Sequence, residues 1–347
     1  MNPLPGRFAF TRKKALADVI GLDVGGVTSR VVRLKRIGDV ITLVAADLLP
    51  RQMLPEKDSD LVQPTPLLLP KPLQALHAAV AVTSSQAVVR LLSVPSSVEN
   101  LSQLNFNELL GIPEGHTCRI GYEAISTEGR DQSILASVLP EKQVKWALSL
   151  LPQGVPVPCS LQTSGAAVLN CFARELSAHH GDAPAIFVHV GNDVTDVAVF
   201  FKGRLALYRQ CMMGSQLIVK TVQERFGIEE ELVPGVLEDD LIDASQPIAI
   251  AMEPFLRQLV LAREFVERKR SCRIEKVLLC GALLGTKHWT AHISNTMGIT
   301  PEVWNPLATV PTLPEAFSER VKGMESRFAT AVGAALAVLE VDHDVSR

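Results

Sequence analysis

The stretch 23-DVGGVTS-29 sets a carboxylate, two glycines and two hydroxyls in a short space, directly after the apolar run Val19-Ile20-Gly21-Leu22. Small residues at a strand-to-strand turn let backbone N–H groups approach an anion, and successive N–H groups form a concavity that suits phosphate oxygens. Gly25, Gly26 and Thr28 fit that role, and Asp23 offers the hard oxygen that Mg2+ takes, usually through water. The chemistry within reach is therefore phosphate binding beside a divalent ion. The same pattern also serves as a plain chain reversal, and an isolated Asp-x-Gly-Gly turn is more often only that.

Other reactive residues make weaker groups. His288 and His292 in 288-HWTAH-292 have the i, i+4 spacing of a metal pair on a helix. No intervening glutamate or third ligand accompanies them, so they read as exposed histidines near a helix start. His179-His180 precede Gly181 and read as solvated. The acidic run 229–240 reads as a solvated loop. The six cysteines, at 118, 159, 171, 211, 272 and 280, show no CxxC spacing and read as reduced thiols. Spacing alone supports no Ser-His-Asp or Cys-His arrangement.

The elements that must position these residues come from a chain of 347 residues with 47% apolar content, enough for about two domains or one two-lobed domain. Lys+Arg 34 against Asp+Glu 37 leaves a net charge of -3, which argues against a nucleic-acid partner. No apolar run approaches the ~20 residues of a membrane span. Residues 1–17 read as a flexible basic tail carrying Arg7, Arg12, Lys13 and Lys14, with no signal-peptide core.

Residues 19–48 read as a hairpin followed by a third strand. The segment 50–72 holds six prolines and reads as a surface loop leading into a helix at 72–79. Residues 79–95 read as two strands, 97–111 as a helix, 118–126 and 133–140 as strands, and 141–153 as a helix burying Trp146, Leu148, Leu150 and Leu151. That order predicts an inserted α+β subdomain over 79–153. Helices are predicted at 214–228, with Leu217, Ile218, Thr221, Val222 and Phe226 on one side, at 247–271, and at 328–340.

An internal repeat then stands out. The segments 20-IGLDVGGVTSRVVRL-34 and 186-IFVHVGNDVTDVAVF-200 share an apolar strand, a Val-Gly turn and a second apolar strand. Asp23 corresponds to His189, Gly25 to Gly191, Gly26 to Asn192 and Ser29 to Thr195. Two such halves predict two similar α/β lobes.

Three glycine turns after strands, 23-DVGGVTS-29, 189-HVGNDVT-195 and 280-CGALLG-285, with an Ala-rich final helix, resemble the actin-like ATPase fold. More narrowly, the chain resembles the PilM-like family of type IV pilus assembly and, more distantly, FtsA. The subdomain at 79–153, the run 164-SGAAVLNCF-172, the passage through Gly214 into a helix ending Phe-Gly-Ile, and 293-ISNTMGITPEVWNPLATV-310 carry that likeness over about residues 18–340. The resemblance implies an actin-like two-lobed α/β fold. Its first lobe is 18–78, its inserted subdomain 79–153, and its connecting helix and second lobe 154–347, with the final helix packing back on the first lobe. It implies an ATP and Mg2+ site formed by Asp23, Gly25, Gly26, Thr28, Gly191, Asn192, Asp193, Thr195, Gly214 and Gly281, with Asp23 and Asp193 toward the metal.

Three departures bear on that site. The family's acidic residue is replaced by His189, and neutral imidazole is a poor Mg2+ ligand. Asp193 could compensate if turned inward, whereas Asp196 enters the returning strand as a cap or toward solvent. The third turn reads Cys280-Gly281 in place of a glycine pair. The start of the connecting helix, 160-SLQTSGAAVLN-170, offers Gln162 and Ser164 where relatives carry acids. The expectation is weak or absent ATP hydrolysis in a cytoplasmic scaffold at the inner face of the bacterial inner membrane. Its implied partner is a PilN-like inner-membrane protein, whose cytoplasmic N-terminal peptide docks between the first lobe and the inserted subdomain. The alternatives are an active ATPase, a sugar-kinase-like phosphotransferase on the same fold, and a filament former.

Overall fold

The computed structural model describes residues 16–52, 54, 64–98, 100–176 and 181–340. The basic tail up to Lys14, much of the Pro-rich loop, and His179-His180 lie outside the described residues. The chain divides into two units, residues 1–179 with 306–347, and residues 180–305.

In the first unit, β1 (Asp18–Val24), β2 (Ser29–Ile37) and β3 (Val40–Leu49) run antiparallel in succession, and β4 (His77–Val82) and β8 (Val157–Thr163) follow in parallel, giving the order β3-β2-β1-β4-β8. The predicted helix at 72–79 is instead a 3-10 turn, Lys71–Leu73, followed by β4. The run His77-Ala-Ala-Val-Ala-Val is buried at every position after His77, and a buried parallel strand shows no alternation to separate it from a helix.

The inserted part holds a three-stranded sheet, β5 (Val88–Pro95), β6 (Cys118–Glu128) and β7 (Asp131–Pro140), in the order β5-β7-β6. A short helix, α1 (Phe106–Leu110), covers one face, and Phe106 stacks on Tyr122 with ring centroids 4.3 Å apart. These residues form a small core of their own around Val94, Ile134 and Val138. The helix after β7, α2 (Glu141–Ser149), instead places Val144, Trp146 and Ala147 in the core of the five-stranded sheet. Leu150 and Leu151 follow it into the core, and Leu148 is half-buried.

Two helices sit on the sheet, α3 (Ser164–Glu175) and α8 (Ala329–Leu339), with α8 against β1, β2 and β4 as well as α3. Close approach explains two glycines. A Cβ on Gly21 would stand 1.9 Å from the Ala331 carbonyl oxygen, and one on Gly333 would stand 1.9 Å from that of Ala167. Every residue of α8 is buried, and each Leu or Val there contributes about 1.5–3 kcal/mol. Both helices belong to the first unit, because α3 and α8 bury their faces on the first sheet.

The second unit repeats the plan. Its strands are β9 (Ala185–Val190), β10 (Thr195–Phe201), β11 (Arg204–Cys211), β12 (Lys276–Gly281) and β13 (Glu302–Val303), in the order β11-β10-β9-β12-β13. Both sheets begin with an antiparallel three-strand meander and continue with parallel strands. Even the ladder irregularities agree: the shift at Arg33/Leu34 recurs at Val199/Phe200, the positions that the sequence repeat aligns.

Helices α4 (Ser215–Phe226), α5 (Val233–Glu238), α6 (Ser245–Arg270) and α7 (Lys287–Met297) complete the unit, with a core built around Ile248, Met252, Phe255, Leu259 and Trp289. The inward face of α4 is Ser215, Ile218, Val219 and Val222. Ile218 and Val222 are buried as predicted, whereas Leu217 and Phe226 are exposed, and the i, i+3, i+4, i+7 stripe is completed by Ser215 and Val219. Part of the acidic run 229–240 is the helical turn α5 rather than loop. No helix of the described residues is long and apolar enough to cross a membrane.

Candidate functional site

Parallel strands bring the carboxyl ends of β1, β4 and β8 to one edge of the first sheet, the edge where ligands meet α/β sheets. The turn after β1 lies there. Asp23 is buried, and both its oxygens are engaged. Arg30 Nη1 donates to Oδ2 at 3.1 Å and Thr83 Oγ1 donates to Oδ1 at 2.7 Å. Arg30 also donates to the Thr28 carbonyl at 3.4 Å. Gly25 has φ +101°, and a Cβ there would lie 2.3 Å from the Thr83 carbonyl oxygen, so this glycine is required by packing against the loop after β4. Gly26 is different, since the nearest atom to an added Cβ is 3.9 Å away.

In the second unit, β9 and β12 deliver the second and third turns to one sheet edge. The Ala282 N–H donates to the Val190 carbonyl at 2.9 Å. Gly281 has φ +116°, and its Cβ would meet that carbonyl at 2.1 Å. The second turn is also tied to the start of α4. Ser215 N–H donates to Gly191 O at 3.0 Å and Gln216 N–H donates to Asn192 O at 2.9 Å. A Cβ on Gly214 would sit 2.2 Å from Asn192 O, and buried Thr195 donates through Oγ1 to Met213 O at 2.6 Å. Asp193 is exposed.

Asp196 corrects an expectation. It is neither a cap nor solvent-facing but buried, accepting from Tyr208 Oη at 2.5 Å and lying 3.1 Å from His189 Nδ1. Burial, with the neighbouring Asp196 carboxylate, holds the Tyr208 hydroxyl well above the ordinary tyrosine pKa. The same two causes push the Cys211 thiol up to about 11. Arg30, Thr83 and Tyr208 are the residues that sequence reasoning missed. The repeat alignment carried a signal, since it sets Arg30 against Asp196 just as it sets Asp23 against His189.

These turns do not fit a Mg2+ ion. Asp23 would have to leave a cationic partner, and the counterpart of Asp23 in the second unit is an imidazole held by a carboxylate. Among the described residues no three of His, Cys, Asp or Glu stand together as a metal's donor set. His288 and His292 are not exposed as expected. His288 is buried, and its ring stacks with that of His292 at 6.3 Å and 16°. Near-parallel rings at that separation do not converge on one ion.

The first unit also contains a cavity of about 370 Å3, where the inserted sheet meets β8, the outer strand of the five-stranded sheet. Its apolar lining includes Ile120, Leu139, Val144, Leu148 and Leu161. Ser137 and the strand residues Ser160, Gln162 and Thr163 also border it. Arg119 borders it and forms a two-point pair with Glu141 at 3.0 and 3.3 Å. Residues 160–163, read from sequence as the start of the connecting helix, are strand. The helix begins at Ser164, with Thr163 Oγ1 accepting from Ala166 N–H at 3.3 Å as its cap. Gln162 is turned toward Ser160 and Asn170.

No family model and no curated protein matches the chain. Solved structures do. A chain of the PilM-PilN type IV pilus biogenesis complex aligns over 94% of this chain and 100% of that chain, with TM-score 0.70 and 17% identity. The ethanolamine utilization protein EutJ from Carboxydothermus hydrogenoformans aligns over 95% and 92%, with TM-score 0.47 and 12% identity. A Bacteroides thetaiotaomicron protein with actin-like ATPase fold aligns over 89% and 96%, at 0.45 and 10%. The last two scores are too low to carry an argument. The class that the fold defines is the actin-like ATPase fold, as the resemblance implied. The particular likeness is to the PilM-PilN complex, and it is a likeness of fold.

Proposed function

We propose that this chain is a PilM-like scaffold of a type IV pilus or related secretion assembly. It docks the cytoplasmic N-terminal peptide of a PilN-like inner-membrane partner and lies at the inner face of that membrane through the partner. The observation that carries this reading is the cavity between the inserted sheet and β8, in a chain whose fold matches the PilM-PilN complex over 94% of its length. An apolar trough with a few placed polar groups suits an extended peptide, which gains affinity from buried side chains and orientation from hydrogen bonds.

Nucleotide chemistry is not part of the proposal. Asp23 is neutralised by Arg30, and His189 with Asp196 fills the slot where the family's second carboxylate would stand. ATP hydrolysis is therefore weak or absent.

The test is calorimetry of the purified chain with a synthetic peptide of the partner's cytoplasmic N-terminus. Binding at micromolar concentration supports docking, and no heat up to millimolar peptide sinks it. Phosphate release from ATP above that of an Asp23→Ala control would restore the ATPase reading.

A further inference from the structure

Three successive residues of β6, Arg119, Ile120 and Gly121, border the cavity. Side chains alternate along a strand, so three neighbours cannot all meet one space through them. Cys118, Ile120 and Tyr122 pack theirs against the small core of Val94, Ile134 and Val138. Ile120 therefore meets the cavity through its main chain.

The direction of that main chain follows from the pairing. Glu141 N–H donates to Thr117 O at 2.9 Å, and Ser96 N–H donates to Arg130 O at 2.7 Å. In an antiparallel ladder, directly opposed residues alternate between hydrogen-bonded and open pairs. Counted along the register from the first bond, Arg119–Leu139 and Gly121–Ser137 are bonded pairs and Ile120–Val138 is an open one. The second bond agrees, since the register of β5 with β7 then turns the Val138 main chain toward β5. Because β6 is an outer strand in the order β5-β7-β6, the Ile120 N–H and C=O point out of the sheet edge. Among the described residues neither group has a partner.

Two further observations bear on this edge. Gly121 sits within the strand with Ser137 opposite, and a strand glycine leaves room for another chain to approach closely. The same unit also closes an outer strand elsewhere by adding a segment to it. Leu43 on β3 donates through N–H to Pro311 O at 2.8 Å and accepts from Leu313 N–H at 3.0 Å. Ile120 offers that same donor and acceptor to the cavity.

We propose that the peptide in this cavity is held as a fourth strand on the open edge of β6, paired with the Ile120 N–H and C=O and along that edge alone. The main chain then supplies affinity, and alternate side chains supply specificity. Peptide residues beside Arg119 and Gly121 direct their side chains to the face that carries Leu139, where Val144, Leu148 and Leu161 also line the cavity. The peptide this site selects is therefore extended, with apolar side chains at alternate positions and a bulky one beside Gly121. The inference rests on the docking reading above and names how the peptide is held.

The experiment uses the wild-type full chain and a synthetic peptide of the partner's cytoplasmic N-terminus. Amide hydrogen exchange is read at single residues with and without peptide. At peptide about a hundred times its Kd, the Ile120 amide should exchange about a hundredfold more slowly than in the free chain. The Arg119 and Gly121 amides, already paired to β7, should change far less. Calorimetry with a series of singly N-methylated peptides gives the second readout. Methylation should weaken binding about tenfold at every second position of one run and be tolerated between, because only alternate N–H groups face β6.

Unchanged exchange at Ile120 in the presence of bound peptide, or a methylation series without that alternation, overturns strand addition and leaves docking intact. No binding of the unmodified peptide overturns both.

Discussion

The two hairpins carry one cross-strand pair in the same slot with opposite polarity. In the first unit Asp23 on the leading strand faces Arg30 on the returning strand. In the second unit the leading strand carries the base, His189, and the returning strand the acid, Asp196. The environments differ as well. Arg30 keeps 19% of its side chain exposed, whereas Asp196 keeps 3% and gains Tyr208 as a second donor. The slot thus requires a satisfied pair, and either strand can supply the acid. A carboxylate absent from the leading strand is not a carboxylate lost from the fold. In each unit the acid is spent on its partner, which leaves the turns built for chain reversal and packing first.

The strongest test of that parallel is at the turn glycines. Gly25→Ala and Gly281→Ala should each destabilise by about 4 kcal/mol, since both combine positive φ with a Cβ driven into a neighbouring backbone carbonyl. Gly26→Ala should stay within about 0.5 kcal/mol, because its Cβ meets nothing nearer than 3.9 Å. Denaturant unfolding of the three variants checks this. Equal losses at all three would dissolve the distinction between packing and open glycines.

Next come the pairs themselves. Asp196→Ala takes the acceptor from the buried Tyr208 hydroxyl and removes the carboxylate beside His189 Nδ1, and should lose about 3 kcal/mol. Asp23→Ala should lose about 1–2 kcal/mol, since Arg30 can turn to water. A larger loss at Asp23 would reverse the claim that the second pair is the more deeply structural.

The smallest effect expected is a pH dependence confined to the second unit. Burial, the main cause, holds the His288 and His292 imidazoles below the ordinary histidine range. His292 and Lys287 add to this at His288 against Asp240 and Asp243, while a backbone contact of His292 to Ser245 opposes it. As pH falls below about 6.5 the unfolded chain takes up these protons before the folded one does. Stability is therefore complete above that pH and declines below it, and His288→Gln with His292→Gln should flatten the decline. Urea unfolding at a series of pH values is the check, and identical slopes for variant and wild type would remove these histidines from the account.

Much of the fold was legible because its signals are local. A Gly turn between apolar runs reports a hairpin wherever it occurs, and its recurrence gave two similar units before any tertiary contact was known. The first residues of β4, 77 and 78, were misread as helix because strands buried on both faces show no periodicity. The inward face of α4 was drawn too wide because Leu217 and Phe226 are apolar yet exposed. Burial of His288 was not legible at all, since a histidine states its chemistry and not what covers it. At the candidate site, sequence reasoning found the turns and the inserted region but not the groups that neutralise Asp23 or hold Asp196.

The sequence by itself determined the repeated hairpin plan and the glycine turns, because residue type and spacing specify strand and turn. Only the tertiary structure decided that Asp196 points inward to meet His189 and Tyr208, that Asp23 is bound to Arg30 and Thr83, and that Ser160, Gln162 and Asn170 join in one buried hydrogen-bonded chain. Those outcomes depend on which face of a strand is covered and which helix lies over it, and burial of that kind is a property of packed elements that no single segment carries.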